Sequence, residues 1–226
     1  MEVNGILVAA SELKEPVLTI RQLALSWDLA ENLAERRSLQ NGIVRISEKM
    51  AMQINDLMQI PRLSLENFPL ETVSVRAVCE EAKFELKKAG VEFDEDFRMK
   101  ISNQVGLVIA NDFLLKRIIF NLCVNASMYR EYGGNSGLFV EMRKNLVRVR
   151  VRDNGPFVPD KTVMVLKRGW MSEPVKMALR PDFSGTSLMI CADFAKYLQT
   201  EVKVIQHVDG ASFFVELPLS KQVSLF

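Results

Sequence analysis

Near the N-terminus, apolar positions recur at helical spacing. Leu13, Val17, Ile20, Ala24, Trp27 and Leu33 lie three, four or small multiples of these apart, which predicts a helix with one apolar stripe. Pro16 falls inside it and predicts a kink or a lost backbone bond. Further on, Ile43, Ile46, Met50, Gln53, Leu57 and Ile60 alternate spacings of three and four. That is a heptad seam with one polar member, Gln53. Pro61 predicts its end, and residues 26–39 supply the turn between the two helices.

Two helices of this length cannot close a core alone. Each leaves most of its stripe in water, and apolar burial is worth roughly 25 cal/mol per Å². A second copy completing a four-helix bundle is the economical cover, so the seam predicts a homodimer. The alternative is a hairpin folded back on the rest of its own chain.

Beyond the hairpin the pattern alternates between the two periods. Residues 69–74 read as short and extended. Residues 75–89 read as an amphipathic helix carrying Val78, Ala82, Phe84 and Leu86, ended at Gly90. Residues 91–97, 99–104 and 105–109 read as strands, and 112–130 as a strongly apolar helix holding Asn121 and Asn125. Strands at 138–143 and 146–153 alternate with period two around a turn at Lys144 and Asn145. A helix at 187–198 follows, then a hairpin of 202–207 and 211–217 around Asp209 and Gly210. The expected class is α+β: a helical hairpin over residues 1–64, then an α/β sandwich over 65–226 with helices on one face of a mixed sheet.

Composition adds exclusions. The 226 residues are 48% hydrophobic and 25% charged, with net charge +1, ordinary for a globular chain. The balance gives no electrostatic case for nucleic acid or an anionic membrane. Arg143, Lys144, Arg148, Arg150 and Arg152 alternate with Val147, Val149 and Val151 and read as one solvated strand face. Cys79, Cys123 and Cys191 show neither CxxC nor a Cys/His pairing, so buried reduced thiols in a cytoplasmic protein are expected. The N-terminus reads as neither a signal peptide nor a membrane span.

Four stretches carry the chemistry: ASELKEPV at 10–17, IIFNLCVNASMY at 118–129, VRVRVRDNGPFVP at 147–159 and DFSGTSLMI at 182–190. The first resembles the phosphoacceptor box of sensor histidine kinases, commonly SHELKTP. Glu12, Leu13, Lys14 and Pro16 match, Glu15 replaces Thr or Asn, and Ser11 stands at the place of the histidine. The only histidine in the chain is His207. The other three resemble the nucleotide boxes of the same family, whose ATPase domain is shared with gyrase, a mismatch-repair protein and a chaperone. The resemblance runs from about Ala10 to Leu219.

The resemblance implies roles residue by residue. Asn121 and Asn125 lie one helical turn apart and face one way. Asn125 matches the asparagine that helps hold Mg²⁺ on the nucleotide phosphates, and Tyr129 the aromatic on the adenine. Asp153 matches the carboxylate that accepts from the adenine amino group, and Gly155 lets the backbone approach the base. Gly185 matches a glycine of the phosphate-cradling loop. The chain departs from the pattern at Met128 for Lys, Phe157 for the second Gly and Ser187 for a flanking Gly. Phe157 is expected to fill part of the pocket, and Ser187 to cap the following helix. Residues 161–181, with Lys167, Arg168, Gly169, Trp170, Lys176 and Arg180, take the place of the nucleotide lid.

Loss of the imidazole changes what the hairpin can do. A serine hydroxyl needs a positioned base, and Glu12 could serve Ser11. A phosphoserine ester, however, would not pass its phosphoryl readily to an aspartate. The expected protein is therefore a degenerate two-component kinase. It is a dimeric scaffold that binds a response regulator or partner kinase near residues 11–16, with ATP or ADP and Mg²⁺ binding weakened or lost. The alternative is a nucleotide-binding enzyme with residual kinase or ATPase activity on an atypical acceptor. No sensor module or membrane span of the kind that many such kinases carry is expected within these 226 residues.

Overall fold

The computed structural model describes residues 2–129, 136–160 and 185–221, together with Val163 and Leu166. Helix α1 (Glu2–Leu29) runs through Pro16, and α2 (Leu33–Gln59) returns beside it. The turn between them is far tighter than the broad segment expected. Asn32 caps α2 by accepting from the Glu35 N–H at 2.9 Å, and the Glu35 carboxylate accepts from the Glu31 N–H at 3.1 Å. The two bonds fix the helix start at Asn32, the second falling one residue before the N-cap. A short 3₁₀ turn, Ile60–Arg62, closes the hairpin.

The stripe of α1 also differs from expectation. Val17 and Ala24 are exposed, Leu33 is exposed and belongs to α2, and Leu13, Ile20, Leu23, Trp27 and Ala30 turn inward. The seam of α2 is half-buried along its length, and the most buried residues of the helix are polar: Gln53 of the seam and Asp56 beside it.

The rest forms an α+β body. Strand β1 (Glu71–Ser74) pairs antiparallel with β3 (Leu107–Ala110) in a small sheet. The main sheet has the order β2-β4-β5-β7-β6, formed by β2 (Phe97–Ile101), β4 (Ser136–Arg143), β5 (Leu146–Asp153), β6 (Lys203–His207) and β7 (Gly210–Pro218). Strands β2 and β4 are parallel, and the other neighbours antiparallel. Helices α3 (Val75–Lys88), α4 (Asp112–Ser127) and α5 (Gly185–Tyr197) share one core with the inner sheet face. Val147, Val149 and Val151 point into that core, as their alternation predicts.

Two local expectations change. Residues 91–96 are not a strand, because Asp94 Oδ1 accepts from the N–H groups of Asp96 and Phe97 and turns the chain. Phe84 is exposed rather than in the core, with the Lys88 ammonium 4.3 Å from its ring centroid. Val75, Val78, Cys79, Ala82 and Leu86 form the buried stripe of α3 instead. Gly90 ends α3 as expected: at φ +79 it lets the N–H of Val91 reach Leu86 O. The two sheets meet near the C-terminal end of the described chain. Leu219 bridges Val108, the Ser220 N–H donates to Leu107 O at 2.8 Å, and the Ser220 and Thr72 hydroxyls lie 3.0 Å apart.

Candidate functional site

Helix α4 organises the site. Asn111 caps it by accepting from the Leu114 N–H at 3.1 Å, and anchors it by donating to Pro69 O at 3.1 Å. Arg117, Asn121 and Asn125 follow at intervals of four, so they line one face. All three are buried in a helix that is otherwise almost wholly apolar. Each needs a partner there, because an unpaired polar group in a dry interior is costly.

Two of them find partners on the hairpin. Arg117 grips Asp56 at two points, Nε to Oδ1 at 2.7 Å and Nη2 to Oδ2 at 2.8 Å. Asn121 Nδ2 donates to the same Oδ2 at 3.0 Å. The Arg117 guanidinium also lies 4.6 Å from the Phe120 ring centroid. One turn before Asp56, the amide of Gln53 donates to the Ser187 hydroxyl of α5 at 3.0 Å. Ser187 therefore lies inside the first turn of a helix that begins at Gly185, not at its cap. The hairpin is folded onto the helical layer of its own body through these five polar side chains and their neighbours.

Asn125 is left over. It is 6% exposed, and its Nδ2 has no hydrogen-bond partner. Asn154, just after β5, is 7% exposed and has an unmet Oδ1. Tyr129 is buried at the end of α4, beside Met128, which is half-exposed. Asp153 is buried, and its Oδ1 accepts from the N–H groups of Gly155 at 2.9 Å and Ala211 at 3.3 Å. Gly210 makes that clamp possible. Its φ is +151, and any Cβ there would collide with the carbonyl oxygen of Asp153. Sequence reasoning named the DNG turn but not the strand that presses on it.

A nucleotide fits these residues. An unmet amide donor and an unmet acceptor, both in the interior, lie on the two segments that also hold Tyr129 and Asp153. Turned about its last bond, the Asn125 amide can offer oxygen to a cation or nitrogen to a phosphate. Phe157 does not plug the site from inside, since it is 65% exposed. Gly185 opens α5, while the lid candidates Lys167, Arg168, Lys176 and Arg180 lie outside the described residues. Ser11 and Glu12 lie on α1.

His207 is on edge strand β6, with Nε2 2.8 Å from the Ser212 hydroxyl of β7. Burial lowers its pKa below the ordinary value, and the nearby Arg152 and Arg150 add to that. It faces away from the helices, on the sheet surface that carries the basic run. That surface is tied by ion pairs: Arg148 to Glu216 at 2.7 Å, Lys203 to Glu216 at 3.1 Å and Arg152 to Asp209 at 2.7 Å. Burial works against the Glu216 charge, but the bonds from Arg148 and Lys203 outweigh it and lower its pKa. Arg148 and Arg150 also stack on Phe214 and Phe139. The three cysteines are free and buried. Burial pushes Cys79 up to about 12 and Cys191 still further. Cys123 is raised by burial and by Cys79 and Cys191 beside it.

Known proteins resemble this arrangement. Residues 110–221 match the model of the histidine kinase-, DNA gyrase B- and HSP90-like ATPase family. The adaptive-response sensory kinase SasA of Prochlorococcus marinus (strain MIT 9313) is 25% identical over 216 residues, which are 94% of this chain and 57% of that protein. This chain thus spans little more than half the length of that relative. Among solved structures, Acinetobacter baumannii histidine kinase AdeS superposes with a TM-score of 0.60 at 13% identity, covering 93% of this chain and 98% of AdeS. Histidine kinase ThkA, crystallised in complex with response regulator protein TrrA, gives 0.58 at 17% identity, with 94% and 61% covered. Among the described residues no helix is long and apolar enough to cross a membrane.

Proposed function

Because this chain belongs to the sensor histidine kinase family, we propose that it is a two-component signalling protein that binds nucleotide but does not phosphorylate itself on histidine. One observation carries the reading. The sole imidazole, His207, is bonded to Ser212 on the far face of the sheet, while Ser11, which the ASELKEPV resemblance matches to the acceptor place, lies on α1. No histidine is therefore available on the hairpin to receive a phosphoryl group.

The body is proposed to take Mg-ATP or Mg-ADP. Asn125 would face the cation or phosphates, Asp153 and Gly155 the base, Tyr129 the ring, and Gly185 the phosphate end, with Asn121 supporting α4. When bound, the nucleotide supplies a phosphoryl group and a cation. What the protein's own residues do is position: Asn125 and Asn154 offer unmet polar atoms, and the Gly155 and Ala211 amides fix Asp153. The orphaned Asn125 amide favours retained binding over a lost site. It also keeps the second reading open, in which residual ATPase or kinase activity reaches an unusual acceptor such as Ser11 with Glu12 as base.

The partner is proposed to be a response regulator or a histidine-bearing kinase, docking on the hairpin. ThkA, a structural relative, is seen with its regulator. Val17, Leu18, Leu25, Leu29, Val44, Ile54 and Met58 leave the hairpin with exposed apolar surface. A second copy of the hairpin is proposed to cover it in a four-helix bundle.

Calorimetric titration with Mg-ATP, followed by labelling with γ-phosphate, tests the proposal. Binding without label on the protein is expected. Acid-labile label would overturn the reading, since it marks a phosphohistidine. Acid-stable label at Ser11 would favour the enzyme.

A further inference from the structure

We infer that the outer face of the main sheet, centred on Arg150, is a docking surface for an acidic segment of a partner protein. The inference stands apart from the nucleotide reading, because it uses no residue of that site.

Register builds the surface. Across β2-β4-β5-β7-β6, the Cα partners Lys100, Phe139, Arg150, Phe214 and Lys203 fall in one row. They lie on the face opposite the buried Val147, Val149 and Val151. The row thus alternates cation and ring and contains no carboxylate. Neighbouring strands are about 4.8 Å apart, so Arg150 stands about 10 Å from each lysine and the row spans about 19 Å. The rows on either side are balanced. Glu216 takes Arg148 at 2.7 Å and Lys203 at 3.1 Å, and Asp209 takes Arg152 at 2.7 Å.

Arg150 is the exception. Among the described residues no carboxylate pairs with it. Its guanidinium lies 4.6 Å from the Phe139 ring centroid and reaches the Ser212 hydroxyl at 3.5 Å. Burial lowers its pKa, and Arg152, Arg148 and Arg143 lower it further, against the help of Glu141. Beside it, the Arg152 Nε is buried without a hydrogen-bond partner. A half-buried cation hemmed in by like charges is costly, and an anion laid over it removes that cost. The surface is also pre-formed. Arg150 on Phe139, and Arg148 at 4.4 Å from the Phe214 centroid, are held flat against rings. Little rotamer freedom is left for these two side chains to lose on binding.

The same stacks decide the kind of anion. Single-stranded nucleic acid binds through open rings on which bases stack. Here arginines cover the rings, and Phe214 is 5% exposed. A long polyanion or an anionic bilayer would reach past the row to Glu141, Glu216 and Asp209. The whole chain, at net charge +1, offers it no attraction beyond this face. A short acidic segment covers the row alone, and its carboxylates match the guanidinium fork of Arg150 two oxygens to two N–H groups.

Fluorescence anisotropy on the full chain tests this at about 50 mM salt, where screening is weak. The probe is fluorescein-labelled hexaglutamate, about 20 Å long when extended, with labelled hexaglutamine setting the background. Labelled hexathymidylate and phosphatidylserine vesicles are the competing anions. Hexaglutamate is expected to bind, and Arg150→Gln to weaken it about tenfold. Arg150→Lys, which keeps the charge and loses the fork, is expected to recover part of the loss. Lys83→Gln removes the same charge from the exposed side of α3, and a change of less than about twofold is expected. No binding of hexaglutamate up to about 1 mM protein overturns the docking surface. Equal losses in Arg150→Gln and Lys83→Gln overturn it as well, because they report net charge alone. Tighter binding of hexathymidylate or of the vesicles, lost in Arg150→Gln, overturns the acidic protein segment as occupant. Should Arg150→Gln fail to melt cooperatively, Lys100→Gln, at the exposed end of the row, carries the same comparison.

Discussion

Arg117 and Asp56, on helices of two different structural units and 61 positions apart, meet as a two-point ion pair with hardly any water contact. Removing only the cation strands a buried anion. Arg117→Met is expected to cost about 3–5 kcal/mol in urea unfolding. Adding Asp56→Leu to it should recover most of the loss, because a matched apolar pair is tolerated where half a pair is not. Equal stability of the single and double variants would contradict this account.

Gly210 offers a sharper test of the Asp153 clamp. A methyl group there strikes the Asp153 backbone and the Asn154 Cα, and the φ of +151 strains any side chain. Gly210→Ala is expected to lose about 3 kcal/mol or more. Gly90→Ala meets open space and carries only the strain of φ +79, so about 1 kcal/mol is expected. Comparing the two midpoints at constant slope separates collision from backbone strain.

Asn125 is predicted to matter for ligand and not for fold. Its Nδ2 is unmet in the interior, so Asn125→Leu removes a burden of about 1–3 kcal/mol and should leave stability equal or raised. Nucleotide heat should vanish with it. A variant that melts early would show that the amide serves the fold instead.

His207 sets a pH dependence whose sign can be worked out. Its folded pKa lies below the ordinary 6.5, because burial and Arg152 disfavour the imidazolium. The unfolded chain therefore binds the proton first as pH falls. Stability from the neutral ring is full above the unfolded value, declines as pH drops below it, and levels off once the folded ring protonates. An NMR titration should place the midpoint below 6.5, and His207→Gln should flatten stability across that window.

The cysteines should be silent in the native state. With Cys79 near 12 and the other two thiols buried and raised, reaction with Ellman's reagent at neutral pH is expected to be more than about a hundredfold slower than for a free thiol. Three equivalents should appear at once on unfolding in guanidinium.

What was legible in the chain followed from short-range pattern. β5 could be read because VRVRVRD alternates without interruption, and the ends of that strand match the structure. Asn121 and Asn125 stood out because amides are rare in so apolar a helix. The start of β2 could not be read, since 91–97 alternates well enough, yet one side chain, Asp94, turns it. Asp56 and Arg117 were invisible for a different reason: a charged residue looks solvated until its partner is found. Gln53 was the available clue, a polar residue in a seam where an apolar one was expected. Its partner, Ser187, reads from sequence as a missing glycine and a helix cap, neither of which points to Gln53.

The joint between the two sheets bears on how the body is made. Leu219 and Ser220 close onto Val108, Leu107 and Thr72, more than a hundred positions earlier. β1 and β3 can pair as soon as residue 110 is made, but a two-stranded ribbon is marginal by itself. During synthesis it must wait for residues 219–220 before it is pinned to the main sheet. Assembly of the body is thus expected to be late and cooperative, and a chain stopped at residue 218 should leave that ribbon protease-sensitive even with all five main-sheet strands present.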